Sequence, residues 1–158
     1  MSVPWKPSVT VAAVVETGGR FLLVEEETPD GVRLNQPAGH LDPGETLLQG
    51  AVREALEETA RVFTPSAVLG VYLVRTQSAS LGEPVTYLRV AFVGSVSEPE
   101  AGRRLDDGIL HTLWLTADEI RSRTAEHRSP LVMKCIDDYL AGQRFPLSLV
   151  YAHPSVTA

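Results

Sequence analysis

Residues 39–60 read GHLDPGETLLQGAVREALEETA. Pro43 and Gly44 break regular structure, and Thr46 is placed to cap a helix that follows. At about 100° per residue, Glu57 and Glu58 fall within about 60° on either side of Glu54. Leu48, Val52, Ala55 and Leu56 form a separate arc suited to packing on a sheet. Like charges one helical turn apart destabilise an isolated helix by roughly 0.2–0.5 kcal/mol. Three crowded carboxylates therefore have two readings. They are a solvated acidic face, or they are the hard oxygen ligands that Mg²⁺ takes while keeping several waters. In the second reading a cation relieves their mutual repulsion.

The flanks separate the two. Gly39 is followed after five residues by Glu45, and after seven more by Arg53-Glu54-Ala55-Leu56-Glu57-Glu58. This resembles the Nudix box, G-x5-E-x7-R-E-U-x-E-E-x-G-U, in which U is aliphatic. Six fixed residues agree, a far more specific match than a short glycine motif. Two positions depart: Ala60 stands at the box glycine and Arg61 at the last aliphatic site. Alanine with positive φ costs about 1 kcal/mol, so the helix is expected to run on a little, with Val62 or Phe63 supplying the missing apolar contact.

Outward from the helix, residues 8–16 (SVTVAAVVE) are apolar and β-branched, as in a strand buried on both faces. After the turn ETGGR, residues 21–27 read as the return strand of a hairpin. TPDGVR reads as a turn, and Pro37 limits any ladder through LNQPAGHL. Beyond the helix, residues 66–76 and 85–96 read as strands joined by a loop or turn, QSASLGEP. Residues 97–108 read as a mobile loop and 109–115 as a last strand. Thr116 and Glu119 form a capping box for a short helix. Residues 129–142 read as a further helix, with Ser129 as cap, Pro130 in the first turn and Gly142 past the end. Strands, helix, strands, helices in that order imply an α/β fold, a mixed sheet covered by helices on both faces. One domain over residues 1–150 and a loose tail over 151–158 are expected.

Composition narrows the function classes. The chain has 158 residues, 44% of them hydrophobic, with mean hydropathy near zero, as in a soluble domain with a real core. Its apolar runs are too short to cross a bilayer, and the N-terminus lacks the apolar segment of a signal peptide. A single cysteine, Cys135, excludes an intrachain disulfide framework and points to the cytoplasm. A net charge of −6 argues against a nucleic-acid polymer as partner, though not against small phosphorylated ligands held with a cation. Nothing in the sequence separates a monomer from a homodimer.

The resemblance continues beyond the box. WKPSVTVAAVV, LNQPAGHLD and RSPLV…AGQRFPLSLV are similar to the NudJ phosphatase subgroup of Nudix hydrolases, from Trp5 to Val150. It implies a Nudix-type α/β/α sandwich with a mixed β-sheet between helices. It also implies release of phosphate from hydroxymethylpyrimidine pyrophosphate, thiamine pyrophosphate or nucleoside di- and triphosphates. A nucleotide-sugar or dinucleotide pyrophosphatase and a non-catalytic ligand sensor are the alternatives.

Carried over by position, Glu54, Glu57, Glu58 and the Gly39 carbonyl hold Mg²⁺, with Mn²⁺ as a possible substitute. Glu45 and Arg53 pair to fix the loop against the helix. The general base is Glu54 or an acid of the loop, which offers Glu98, Glu100, Asp106 and Asp107; Asp106 and Asp107 lie nearest the final strand. Arg89 interrupts an apolar strand and meets either a phosphate or a nearby acid. Asn35 and Gln36 have amides able to read a pyrimidine edge, and Lys6 can contact phosphate. Tyr87, Tyr72 and Trp5 can stack on a base, core packing being their default, and His40 reads as structural.

Overall fold

Strand β1 (Ser8–Val14) shows why the chain folds in layers. Its alternation sends Val11 and Ala13 into one hydrophobic core and Ala12 and Val14 into another. A strand covered on both faces needs apolar residues at every position, and that is the run VTVAAVV. In the computed structural model, which describes residues 1–77 and 80–158, β1 runs parallel to β7 (Pro84–Val96) and antiparallel to β5 (Ala38–His40). β7 pairs antiparallel with β6 (Phe63–Gln77), giving the order β5-β1-β7-β6. Of the expected loop QSASLGEP, Ser78 and Ala79 lie outside the described residues.

A second, antiparallel sheet is centred on β3 (Arg20–Thr28). It pairs with β8 (Ile109–Thr116) on one side, and on the other with β2 (Glu16–Thr17) and β4 (Gly31–Asn35). The expected hairpin is therefore cut short. The chain leaves the first sheet after Val14, and only residues 16–17 fold back on 20–21, helped by the Leu22 N–H bonded to the Val15 carbonyl at 3.0 Å. TPDGVR is likewise shorter as a turn than expected, because Gly31 already starts β4. Pairing with β3 overrides the weak strand pattern of GVRLN.

Helix α1 (Leu47–Thr59) covers the Val11, Ala13, Val90 and Phe92 face of the first sheet. Helices α2 (Ala117–Ser122) and α3 (Leu131–Leu140) close the opposite core, where Ile120, Val132, Cys135 and Ile136 meet Ala12, Leu69 and Ala91. The expected α/β architecture, mixed sheets between helices, is the one observed, built from two sheets rather than one. Capping boxes form at Thr46 with Gln49 and at Thr116 with Glu119. Ser129 accepts the Leu131 N–H at 3.1 Å, ahead of the helical Pro130. Among the described residues no helix is long and apolar enough to cross a membrane.

The exit of α1 differs from expectation. The helix does not run on: Ala60 adopts the left-handed conformation (φ 59°, ψ 20°) while its N–H bonds the Leu56 carbonyl. Phe63, not Val62, goes into the core. Residues 97–108 are tied to this exit: Glu100 N–H bonds Ala60 O at 2.7 Å, Asp106 N–H bonds Glu57 O at 2.9 Å, and Ser97 N–H bonds Val62 O at 3.0 Å. Their backbone groups are satisfied by the end of the helix rather than by water alone. Residues 151–158 are exposed, with one 3₁₀ turn at Pro154–Val156.

Candidate active site

The buried face of α1 is Gly50, Ala51, Glu54, Ala55, Glu58 and Thr59. Of the sequence-based arc, Ala55 is buried in the sheet core and Leu48 and Val52 pack against it partly buried, while Leu56 is half-buried outside that cluster. Small residues let the helix lie close to β1 and β5, and that approach draws Glu54 and Glu58 inward. Burial is the largest influence on both carboxyls. It pushes Glu58 up to about 9, with the charges of Glu26, Glu54 and Asp106 adding and the Ala38 N–H, 2.9 Å from Oε1, opposing. Glu54 is raised for the same reason, opposed by Arg53 and reinforced by Glu57 and Asp106.

Arg53 gathers the loop. It grips Glu45 with two bonds, Nε to Oε2 at 2.9 Å and Nη2 to Oε1 at 2.7 Å, and donates to the His40 carbonyl at 2.9 Å. Its Nη1 bonds Glu54 at 2.7 Å and Glu57 at 3.1 Å. Glu45 also accepts the Asp42 N–H at 2.7 Å, and its carboxyl is held below the usual range, chiefly by Arg53. The Glu45–Arg53 pair that the resemblance to the box implies is present and ties loop to helix.

Gly39 lies against Glu54 so closely that a Cβ would fall on the carboxylate. The donors fit a divalent cation: hard oxygens only, two buried carboxyls that desolvation and mutual repulsion leave short of positive charge, and a backbone stripped of its side chain beside one of them. As they stand, no three described His, Cys, Asp or Glu side chains converge on one point, and Arg53 holds both Glu54 and Glu57.

Glu54, Glu58 and Gly39 line a cleft of about 350 Å³. The substrate-contact candidates Asn35, Tyr87 and Arg89 are also on its wall, and so is His40, which the sequence read as structural. Arg89 is 5% exposed and is met by neutral amides rather than by an acid: Nη2 bonds Asn35 at 2.9 Å and Nη1 bonds Gln36 at 2.8 Å. The Tyr87 and His40 rings lie 6.1 Å apart.

Other candidates fall elsewhere. Gln36 is fully buried, its amide spent between Arg89 and the Val132 carbonyl, so it reads no base. Lys6 and Trp5 are exposed outside the cleft, where packing cannot reach them. Tyr72 is in the core, bonded to Asp138 at 2.8 Å. Asp107 is almost wholly exposed and pairs with Arg104 at 3.3 Å; Asp106 is the loop acid whose charge reaches Glu54 and Glu58.

Sequence reasoning missed Glu26, Arg128, Ser129, Thr10, Val74 and Leu131, all on the cleft wall. Glu26 shares a face of β3 with Leu22 and Val24, but the apolar run over 21–24 is continuous and gives no alternation to single it out from Glu25 and Glu27.

Residues 4–135 match the family model of the NUDIX domain, and the chain belongs to the Nudix hydrolase family, enzymes that act on small phosphorylated substrates and generally use divalent metal ions. Within it the chain is similar to phosphatase NudJ of Escherichia coli strain K12, 36% identical over 146 residues that cover 92% of each chain. Phosphatase NudJ of Shigella sonnei is equally similar. A NUDIX hydrolase from Nitrosomonas europaea superposes with a TM-score of 0.85 at 48% identity, covering 94% of this chain and 98% of that one. A UDP-X diphosphatase shares the fold alone, at 16% identity and a TM-score of 0.70.

Proposed function

We propose that the chain hydrolyses a phosphoanhydride bond in small pyrophosphate compounds with the help of Mg²⁺, or Mn²⁺ in its place. Hydroxymethylpyrimidine pyrophosphate, thiamine pyrophosphate and nucleoside di- and triphosphates are the substrates in view, with phosphate as product. The observation that carries this reading is the buried pair Glu54 and Glu58 beside the bare backbone of Gly39, on the wall of a cleft that also holds a buried guanidinium. A cleft of about 350 Å³ falls in the size range of small-molecule sites.

Glu54, Glu58, Glu57 and the Gly39 carbonyl would hold the metal. When bound, it supplies charge neutralisation for the phosphate oxygens and a lowered pKa for water. Arg53 keeps Glu45, Glu54 and Glu57 in register and is their support when the cation is away. Arg89 and Asn35 meet the substrate's polar atoms, and Tyr87 covers its organic part. Water attacks phosphorus, the bridging P–O bond breaks, and the water proton passes to a carboxylate, Glu54 or Asp106. Residues 1–150 form the hydrolase domain, 151–158 its appended tail, and a lone buried thiol suits the cytoplasm.

The test is phosphate release across a phosphoanhydride panel, with Mg²⁺, with EDTA, and in Glu57→Gln. EDTA abolishes release, and the substitution lowers kcat by at least about 100-fold while the fold persists. Turnover indifferent to both contradicts the assignment.

A further inference from the structure

Beyond the acids of α1 and Asp42, which pairs with Arg53 at 3.3 Å, three charged side chains line the cleft: Arg89, Arg128 and Glu26. They form a continuous wall across four segments of the chain. Arg89 on β7 bonds Asn35 at the end of β4. Glu26 lies on β3, where burial raises its carboxyl above the ordinary range and the Arg128 guanidinium, the Asn35 amide and Arg89 oppose that rise. Arg128, in the approach to α3, stands 3.6 Å from the Glu26 carboxylate. Glu26 is the inner partner of that pair, its side chain 19% exposed against 36% for Arg128. Its contact with Arg128 is too long for a tight charge-assisted hydrogen bond, and Arg128 itself lines the cleft.

Two guanidiniums alone would draw in the most highly charged anion available. One carboxylate among them removes half of that attraction. Resting on the phosphoanhydride reading above, we infer that Glu26 is a specificity-determining residue: it holds down the affinity for substrates with one further phosphate, so that diphosphates are favoured over the matching triphosphates. It takes no part in the bond-breaking step. Its carboxylate leaves the wall with a single net positive charge for the part of the substrate that the metal does not neutralise.

The experiment compares kcat/KM for ADP and ATP in wild type, Glu26→Gln, Arg128→Gln and Glu27→Gln. Calorimetric affinities for the methylene-bridged analogues of both nucleotides are measured alongside. Glu26→Gln raises the ATP-to-ADP ratio by roughly five-fold at low salt, and the gain shrinks at high salt, where exposed charges are screened. Arg128→Gln moves the ratio the other way. Glu27→Gln makes the same change of net charge at an exposed neighbour outside the cleft and leaves the ratio in place. An unchanged ratio in a folded Glu26→Gln protein, or an equal shift in Glu27→Gln, overturns the inference. Should Glu26→Gln fail to fold, the absence of an opposite shift in Arg128→Gln overturns it instead. If the wild type turns over no phosphoanhydride, the proposed function falls, and the calorimetric preference still decides the role of Glu26.

Discussion

Ala60 is the one non-glycine residue with positive φ among those described, and it stands where the family box has glycine. Its conformation is imposed from both sides: the N–H closes the last turn of α1 and the carbonyl accepts the Glu100 N–H. Its neighbour Arg61 takes up the surface that an aliphatic residue would cover. It lays its guanidinium over Trp114 at 5.3 Å and donates to the Ser97 carbonyl at 3.0 Å. The box thus keeps its geometry while losing two of its letters. Replacing Ala60 by glycine removes the Cβ strain, so Ala60→Gly is expected to stabilise the fold by about 1 kcal/mol, read from the urea midpoint at unchanged slope. Destabilisation would mean that the strain is negligible beside the lost methyl contacts of this 4% exposed side chain.

At the scale of elements, the site depends on how closely β5 and α1 approach. Gly39 faces Glu54 across that gap with no room for a Cβ. Gly39→Ala should therefore displace the Glu54 carboxylate and lower kcat/KM by about 100-fold, with circular dichroism retained. Near-wild-type turnover would show that the strand can shift at no cost. Elements made of long apolar runs or marked by caps were legible: β1, β6, β7, β8 and the starts of α1 and α2 lie close to where the residues place them. β4 was not, because GVRLN has no strong strand pattern and is a strand only through pairing with β3. The face of α1 was half legible. Its spacing grouped the acids and an apolar arc that includes Ala55, but it did not mark Gly50, Ala51 and Thr59, the small residues that close packing buries.

The whole molecule has to accommodate carboxyls that are ionised in water. Burial in the folded chain pushes the Glu58 carboxyl from its ordinary 4.5 up to about 9, and Glu54 shifts in the same direction. The folded state thus binds these protons more tightly. Their contribution to stability is complete below about pH 4.5 and is lost as pH rises toward 9. Without divalent ions the melting temperature should fall as pH rises through that window. Saturating Mg²⁺ should restore it most at the alkaline end, by up to about 2.7 kcal/mol at a hundred times Kd. A melting temperature flat in pH and indifferent to Mg²⁺ would contradict the buried-carboxyl account.

The box could be read directly because Glu54, Glu57, Glu58 and Arg53 are neighbours on one helix, where a fixed rotation per residue turns spacing into geometry. The apolar alternation of β1 likewise announced a strand covered on both faces. The opposite wall had no such ruler. Glu26, Asn35, Arg89 and Arg128 lie on separate segments spread over about a hundred residues, and only the pairing of β3 with β4, the parallel β1–β7 ladder and the docking of α3 bring them to one cleft. Helix and strand periods are local properties of the backbone. The meeting of distant side chains depends on which faces bury one another, and no spacing along the chain records that.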